Sequence, residues 1–196
     1  MEYEIFVSGI GGQGIQLVSK MLALAGSAED RHVMLNGLYG GEMRGGMSMS
    51  TVVIGDAPLL ALPVTASAGA AVVLHHHFWE RPRSRLRRGA LVVADSEVAS
   101  NLGEMPELTL VTVPATDLAR SVGNPMVSGM ILMAAFNAMT GLVAEQSLLA
   151  AMRKLVPSHR RQHLESNEKA LMAGARAVEA LSHPIALAKK KQEAAA

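Results

Sequence analysis

The chain of 196 residues contains no cysteine, and aromatic residues make up only 3% of it. The absence of cysteine excludes disulfides, thiolate nucleophiles and any iron–sulfur cluster that cysteines of this chain would ligate. The formal net charge is +1, which gives no electrostatic argument for nucleic acid as a partner. No apolar run is long enough to span a bilayer. The length fits one globular domain, for which we expect no membrane insertion.

The core of this domain has to form almost without aromatic rings. Apolar residues nevertheless account for 49% of the chain, and 13 residues are methionines. This composition predicts a core of Ala, Val, Leu and Met, with methionine supplying adaptable packing in the core or at a subunit interface. Residues 1–4 are acidic and continue directly into an apolar strand, unlike a secretory signal. We therefore expect a cytoplasmic protein.

The most informative stretch covers residues 5–16 and has four glycines in its middle. An apolar run enters it and apolar residues at helical spacing follow, which predicts a strand at about 3–8, a glycine turn and a helix at about 14–28. Glycines let backbone N–H groups approach a phosphate, and a helix N-terminus adds a partial positive charge. Gly9, Gly11 and Gly14 match the G-x-G-x-x-G pattern of dinucleotide-binding loops.

The rest of that dinucleotide pattern is missing. It requires an Asp or Glu at the end of the second strand, about 20 residues further on, to bind the ribose hydroxyls. The second apolar segment, at 32–36, ends at Asn36, whereas Glu29 and Asp30 precede it. Beside a weak indication of NAD binding, three interpretations stay open: a tight turn that binds nothing, a loop for a phosphate-bearing ligand, and a loop on which a neighbouring subunit packs.

A second glycine-rich loop follows the second strand. Five glycines in residues 37–46 argue against a helix or a regular strand, and Tyr39, Glu42 and Arg44 stand among them. Arg44 could bind a carboxylate or phosphate with two hydrogen bonds, pair with Glu42, or close the loop against a partner subunit. The alternation of residues 47–54 predicts a third strand. Both glycine loops follow strands and should open on the carboxyl edge of a parallel sheet, where ligands bind.

The remaining apolar runs complete an α/β pattern. Further strands are predicted at 70–74, 89–95 and 108–113, and further helices at 127–139, 148–156 and 159–181. Short strands that alternate with helices predict a single Rossmann-like domain, with a mostly parallel sheet flanked by helices and a long C-terminal helix. We assign residues 1–184 to this domain and residues 185–196 to a C-terminal tail that is frayed or helical only on a partner.

Two polar clusters follow the fourth predicted strand. In the triplet His75, His76 and His77, the outer two would share a face if the strand continued, and Glu80 could join them around a metal. Solvated or packed histidines are more common there, and we predict no metal site. Residues 81–88 contain five arginines, for which a solvated helix face is favoured over contact with phosphate or an acidic partner. Neither a Gly-x-Ser-x-Gly elbow nor a Walker A loop occurs, and we predict no catalytic residue.

Five motifs occur in order along nearly the whole chain. They are residues 9–14 (Gly-Ile-Gly-Gly-Gln-Gly), 39–46 (Tyr-Gly-Gly-Glu-Met-Arg-Gly-Gly), 113–116 (Val-Pro-Ala-Thr), 124–129 (Asn-Pro-Met-Val-Ser-Gly), and 167–171 (Asn-Glu-Lys-Ala-Leu) with Gly174. Together they resemble the gamma subunit of 2-oxoacid:acceptor oxidoreductases, a family that includes pyruvate, 2-oxoglutarate, 2-oxoisovalerate, indolepyruvate and phenylglyoxylate enzymes. Gly41 stands where the family commonly has proline, the usual aspartate before the middle strand is absent, and the histidine triplet is not a family feature.

The resemblance implies a multi-subunit enzyme. Such enzymes decarboxylate a 2-oxoacid on thiamine diphosphate, pass electrons through iron–sulfur clusters to ferredoxin or an NAD-reducing subunit, and transfer the acyl group to coenzyme A. The complex is expected to carry thiamine diphosphate, Mg and iron–sulfur clusters, and this chain is expected to bind none of them alone. Its expected partners are the thiamine-binding alpha and beta subunits and an iron–sulfur subunit.

The resemblance also implies a position for this chain, packed on the thiamine-binding subunits near the coenzyme A path. The alternative function is a free-standing nucleotide- or phosphate-binding α/β module with a regulatory or enzymatic role. Under either interpretation the glycine loops are the expected sites of cofactor binding or subunit contact. The predicted residues are Gly9, Gly11, Gly12, Gln13, Gly14, Tyr39, Glu42, Arg44, Gly45, Gly46 and Asn124.

Overall fold

A computed structural model of the protein describes residues 1–41, 45–59, 65–181 and 185–188. The strands are β1 (Glu2–Ile10), β2 (His32–Tyr39), β3 (Met47–Gly55), β4 (Ala68–Val73), β5 (Leu86–Asp95) and β6 (Thr109–Val113). The α-helices are α1 (Ile15–Ala28), α2 (Glu80–Arg83), α3 (Ser96–Ala99), α4 (Ala115–Ser121), α5 (Ser128–Thr140), α6 (Glu145–Leu155) and α7 (Leu164–Arg176). Short 3-10 helices cover Pro125–Val127 and Ser158–His163.

Within the described residues, the strands form one sheet in the order β2-β3-β1-β4-β5-β6. β3 is antiparallel to its neighbours β2 and β1, while β1, β4, β5 and β6 run parallel to one another. The predicted mostly parallel sheet is therefore confirmed. Because β3 runs in the opposite direction, it begins at the edge where β1 and β2 end. The glycine loops after β1 and β2 consequently meet at this carboxyl edge of the sheet.

The two faces of the sheet are covered differently. Ile5 and Val7 of β1 belong to the larger core, which also contains buried residues of α1, α4, α5, α6 and α7. Phe6, between them, faces a smaller core closed by Trp79 and Leu102 from the segments around β5. This division follows from the two-residue period of strands, in which successive side chains point to opposite faces. None of the helices in the described part of the chain has the length and apolar character needed to cross a bilayer.

The second glycine-rich segment is less irregular than its composition predicts. β2 continues through Gly37 to Tyr39, so the prediction that residues 37–39 lie outside a regular strand is wrong. The reason is pairing with β3, whose antiparallel register continues as far as Tyr39 opposite Ser48. The Gln16 Oε1 atom lies 2.5 Å from the place that a Cβ on Gly37 would occupy. Glycine at this strand position therefore makes room for a side chain of α1.

The C-terminal region also differs in detail from its prediction. Residues predicted as one helix over 159–181 form a 3-10 helix at Ser158–His163, then α7, and then turns through 181. Residues 185–188 are not frayed: the Ile185 N–H donates to the Met139 carbonyl at 2.7 Å, and Leu187 is buried in the larger core. Residues 189–196 lie outside the described part of the chain.

The arginine-rich segment does not form one solvated helix face, contrary to the prediction. α2 covers only Glu80–Arg83, and Arg87 already belongs to β5. The Arg85 guanidinium lies 4.9 Å from the centre of the Phe6 ring and donates to the Thr65 carbonyl. Arg87 forms an ion pair with the buried carboxylate of Glu4, with Nη2 to Oε2 at 2.6 Å. Arg85 therefore packs on the smaller core, and Arg87 joins β5 to β1.

Candidate functional site: a glycine-lined cleft

A cleft of about 800 Å³ lies over the carboxyl ends of β1 and β2. It is lined by Gly11, Gly12, Gly14, Ile15, Gln16, Leu17, Tyr39, Gly40, Gly45, Gly46, Met47, Ser48 and Arg160. Six of these residues are glycines, so much of the wall is backbone. Such a wall allows a ligand or a partner to approach the backbone of this chain closely.

The two glycine loops are bonded to each other by their backbones. The Gly11 N–H donates to the Gly46 carbonyl at 2.8 Å, and a Cβ on Gly11 would lie 3.7 Å from the Gly45 nitrogen. In a dinucleotide-binding loop, the backbone at this glycine approaches the pyrophosphate. Here the chain's own second loop occupies that place and uses that N–H group. The geometry therefore disfavours NAD binding in the usual mode.

Gly14 directs the chain from the first loop into α1. It has a left-handed backbone conformation, with φ 76° and ψ 18°, which a residue with a Cβ adopts only at a cost. No side chain caps the start of α1. The first helical residues, Ile15, Gln16 and Leu17, line the cleft, and N–H groups in a first turn have no partner within the helix. The cleft thus receives the positive end of the α1 dipole.

Gln13 and Gln16 hold the cleft in shape. The Gln13 amide accepts from the Ile10 N–H and donates to the Leu74 carbonyl, both at 3.0 Å, which joins the first loop to the end of β4. The Gln16 amide donates to the Met49 carbonyl at 3.2 Å and so joins α1 to β3. A Cβ on Gly9 would lie 2.5 Å from the Gln13 Oε1 atom. Gly9 and Gln13 therefore position the loop and do not line the cleft.

Asn124, the predicted site residue farthest from the glycine loops in the sequence, has a structural role. Its Oδ1 accepts from the Met126 N–H at 3.1 Å and so caps the 3-10 helix that leads into α5. Its Nδ2 donates to the Ser166 Oγ at 3.4 Å, which links the beginnings of α5 and α7. Asn124 does not line the cleft. Glu42 and Arg44 lie outside the described residues.

The cleft wall includes residues that sequence reasoning missed. Arg160 comes from the 3-10 helix between α6 and α7, far away in the sequence, and no local pattern indicates it. Among the described lining residues it is the one charged side chain. Ser48 and Gln16 could have been found from their positions beside the glycine loops. Tyr39, which was predicted, is 65% exposed at the rim.

The histidine triplet lies in a turn and not on a continued strand, because β4 ends at Val73. The His75 and His76 rings stack with centroids 4.6 Å apart, and the His75 Nδ1 accepts from the His77 N–H at 3.1 Å. Across the described ranges, no group of three or more His, Cys, Asp or Glu side chains could hold a metal ion. Since β4 ends before the triplet, the hypothesis that His75 and His77 share one face of a continued strand is wrong.

The environment of His75 in this turn leads us to expect that the stability of the protein depends on pH. Burial, and next the charges of His76 and His77, lower the pKa of His75 below its ordinary 6.5. Since the unfolded chain then takes up a proton before the folded chain does, His75 supports folding above about pH 6.5 and this support is lost as the pH falls through the lowered pKa. His75→Asn keeps a hydrogen-bond acceptor that does not titrate. Urea unfolding should show a smaller loss of stability between about pH 7.5 and about pH 5.5 in this variant than in the wild type.

The matched control for that measurement is His159→Asn, since His159 is exposed in a 3-10 helix. The control should keep the wild-type dependence on pH. If His75→Asn and the wild type lose equal stability over this pH range, protonation of His75 does not contribute to the pH dependence of stability.

The fold and the cleft define an α/β domain with a glycine-lined site at the carboxyl edge of its sheet. The family model for pyruvate ferredoxin/flavodoxin oxidoreductase matches residues 4–177, and the chain belongs to this family. The resemblance drawn from the motifs is thereby confirmed.

Individual relatives agree with this assignment. Over 161 residues the chain is 31% identical to the 2-oxoglutarate synthase subunit KorC of Methanocaldococcus jannaschii, which covers 80% of this chain and 85% of the relative. The gamma subunit of keto/oxoacid ferredoxin oxidoreductase from Geobacter sulfurreducens PCA superposes with a TM-score of 0.75 at 27% identity, over 89% of this chain and 96% of that one. A 2-oxoglutarate:ferredoxin oxidoreductase chain from Magnetococcus marinus shares the fold, with a TM-score of 0.83 at 19% identity, over 95% of this chain and 33% of that one.

Proposed function

We propose that this chain is the gamma-type subunit of a multi-subunit 2-oxoacid:acceptor oxidoreductase. In this proposal the complex oxidatively decarboxylates a 2-oxoacid to an acyl-CoA and passes the electrons to ferredoxin or NAD. The observation that carries the proposal is the family match over residues 4–177, together with relatives of similar length that are subunits of such enzymes. A cytoplasmic location is part of the same proposal.

In this proposal the chain supports the reaction but makes and breaks no bonds itself. Without any cysteine, the chain has no thiolates for the iron–sulfur clusters, which therefore belong to other subunits. Thiamine diphosphate with Mg and coenzyme A supply the decarboxylation and acyl-transfer chemistry when bound to the complex. The residues of this chain would pack on the thiamine-binding alpha and beta subunits beside the coenzyme A path.

The glycine-lined cleft is the part of the chain best suited to that position. Its backbone wall admits a close neighbour, and the α1 N-terminus and Arg160 make it favourable for negative charge. Gln13 holds the first loop against β4, so the wall is preorganised before a partner arrives. Arg44, from the second loop, is proposed to order that loop against the thiamine-binding subunits or the coenzyme A path, as its sequence context indicates.

Purification tests the proposal. An affinity-tagged chain expressed in its native host should retain larger, iron-containing subunits, and the eluate should reduce an electron acceptor when a 2-oxoacid and coenzyme A are added. The purified chain alone should show neither this activity nor visible iron–sulfur absorbance, because it has no cysteine. Turnover by the chain alone would contradict the proposal. Elution without partners would instead favour a free-standing nucleotide- or phosphate-binding module.

A further inference from the structure

Three exposed arginines lie around the glycine-lined cleft. Arg160 lines the glycine cleft, and Arg161 follows it on an exposed 3-10 helix. On the other side of the sheet, Arg81 is exposed and its Nη1 lies 3.8 Å from the sulfur of Met47, a residue of the cleft wall. We call Arg81, Arg160 and Arg161 the arginine rim. It flanks the cleft from both sides.

The opposite, amino edge of the sheet carries acids together with bases. Glu2 begins β1, Asp30 precedes β2, Asp56 follows the antiparallel β3, and Glu107 precedes β6. Of these, Asp56 is already paired with the N-terminal amine at 3.1 Å and with Arg31 at 2.8 Å. Arg31 and the exposed Arg88 lie at this edge too, so it carries charges of both signs, whereas the arginine rim stands beside the cleft. A local group of like charges of this kind attracts an approaching partner of opposite charge.

The cleft also has apolar residues at its rim. Leu17 is 37% exposed and Tyr39 is 65% exposed, and both line the cleft. Large apolar side chains beside a concave backbone wall are typical of protein contacts, whereas a phosphate site relies on free N–H groups. The Gly11 N–H is already bonded to Gly46, so one such donor is not available. Apolar rim residues with flanking arginines fit an acidic protein surface better than a phosphate group.

We propose that the arginine rim steers this chain onto an acidic surface of a thiamine-binding subunit, one of whose loops enters the glycine-lined cleft. This inference rests on the proposed function and adds the docking face and the chemistry of the partner. The expected partner loop presents a carboxylate to Arg160 and an apolar side chain to Tyr39. Guanidinium groups suit this task because they bind carboxylates with two parallel hydrogen bonds.

Rebinding of charge variants tests the inference. The partner subunits are obtained from the native complex by removing the tagged wild-type chain, and each variant is then titrated onto them at several salt concentrations. Arg160→Glu and Arg81→Glu should each lower the association rate constant about tenfold at about 50 mM salt, and this difference should shrink to less than about threefold at about 500 mM salt. The dissociation rate constant should change less.

The matched control is Arg88→Glu, which reverses an exposed arginine in the amino half of β5, away from the cleft. It should rebind as the wild type does. Equal rebinding by all variants at every salt concentration would overturn the inference while leaving the proposed function intact. A complex that assembles normally with Arg160→Glu but has a raised KM for coenzyme A would also overturn it, in favour of a phosphate-bearing ligand. Failure of the wild-type chain to retain any thiamine-binding subunit would instead refute the proposed function.

Discussion

Gly174→Ala should destabilise the protein more than any other single methyl group added to its helices in the described residues. Gly174 lies in α7 where this helix crosses α5, and its added Cβ would overlap the Ile131 carbonyl oxygen and lie 2.9 Å from the carbonyl carbon. Backbone atoms in a packed helix cannot move aside as a flexible side chain can. We expect a loss of about 3 kcal/mol in the free energy of unfolding, measured by urea titration.

Gly26→Ala is the matched control, because Gly26 is also a buried glycine near the end of a helix, in α1. Its added Cβ would meet only side-chain atoms, of which the nearest is the Ile54 Cδ1 at 3.1 Å. The gain in helix propensity, about 1 kcal/mol, offsets this contact, so the stability should stay close to that of the wild type. Equal stability of the two variants would show that α5 and α7 can separate at no cost.

Glu4→Gln should have the second large effect. The Glu4 carboxylate is 2% exposed and binds the Arg87 guanidinium, which is 13% exposed. The variant keeps the size of the side chain but leaves the Arg87 charge buried without a counter-ion. Breaking such a pair costs about 3–5 kcal/mol, and we expect the lower end because Arg87 also donates to the Ala188 carbonyl at 2.9 Å. Thermal and urea unfolding measure the loss.

The double variant Glu4→Gln with Arg87→Met provides the internal test. If the loss in Glu4→Gln comes from the unpaired charge, removing that charge should recover part of the stability. Glu97→Gln is the control for a surface pair, since Glu97 and Arg120 are both more than half exposed, and it should cost less than about 1 kcal/mol. If the double variant loses as much free energy of unfolding as the two single variants lose together, the loss in Glu4→Gln comes from packing alone.

Local sequence patterns were sufficient for most of the secondary structure. The run from strand through glycine turn to helix at residues 3–28 was predicted nearly as it occurs, because it depends on neighbours in the chain. The strand after the second glycine loop was predicted for the same reason. Errors arose where a distant residue decides the conformation. Gly37 belongs to a strand because β2 pairs with β3, and Arg87 is largely withdrawn from solvent because it pairs with the buried Glu4 of β1.

The candidate site likewise has features that the local sequence predicts and features that depend on distant contacts. From the sequence alone, the two glycine loops, their common edge, the absence of thiolate ligands and the family were determined, because each depends on residue types and on their order. Only the tertiary structure decided that Gly46 bonds to Gly11, that Arg160 joins the cleft, and that Arg81 lies beside the Met47 side chain of the same cleft. The physical reason is that β3 reverses direction between β2 and β1, and that the 3-10 helix between α6 and α7 brings Arg160 to the same edge. Contacts between residues so far apart in sequence follow from packing, which no local pattern encodes.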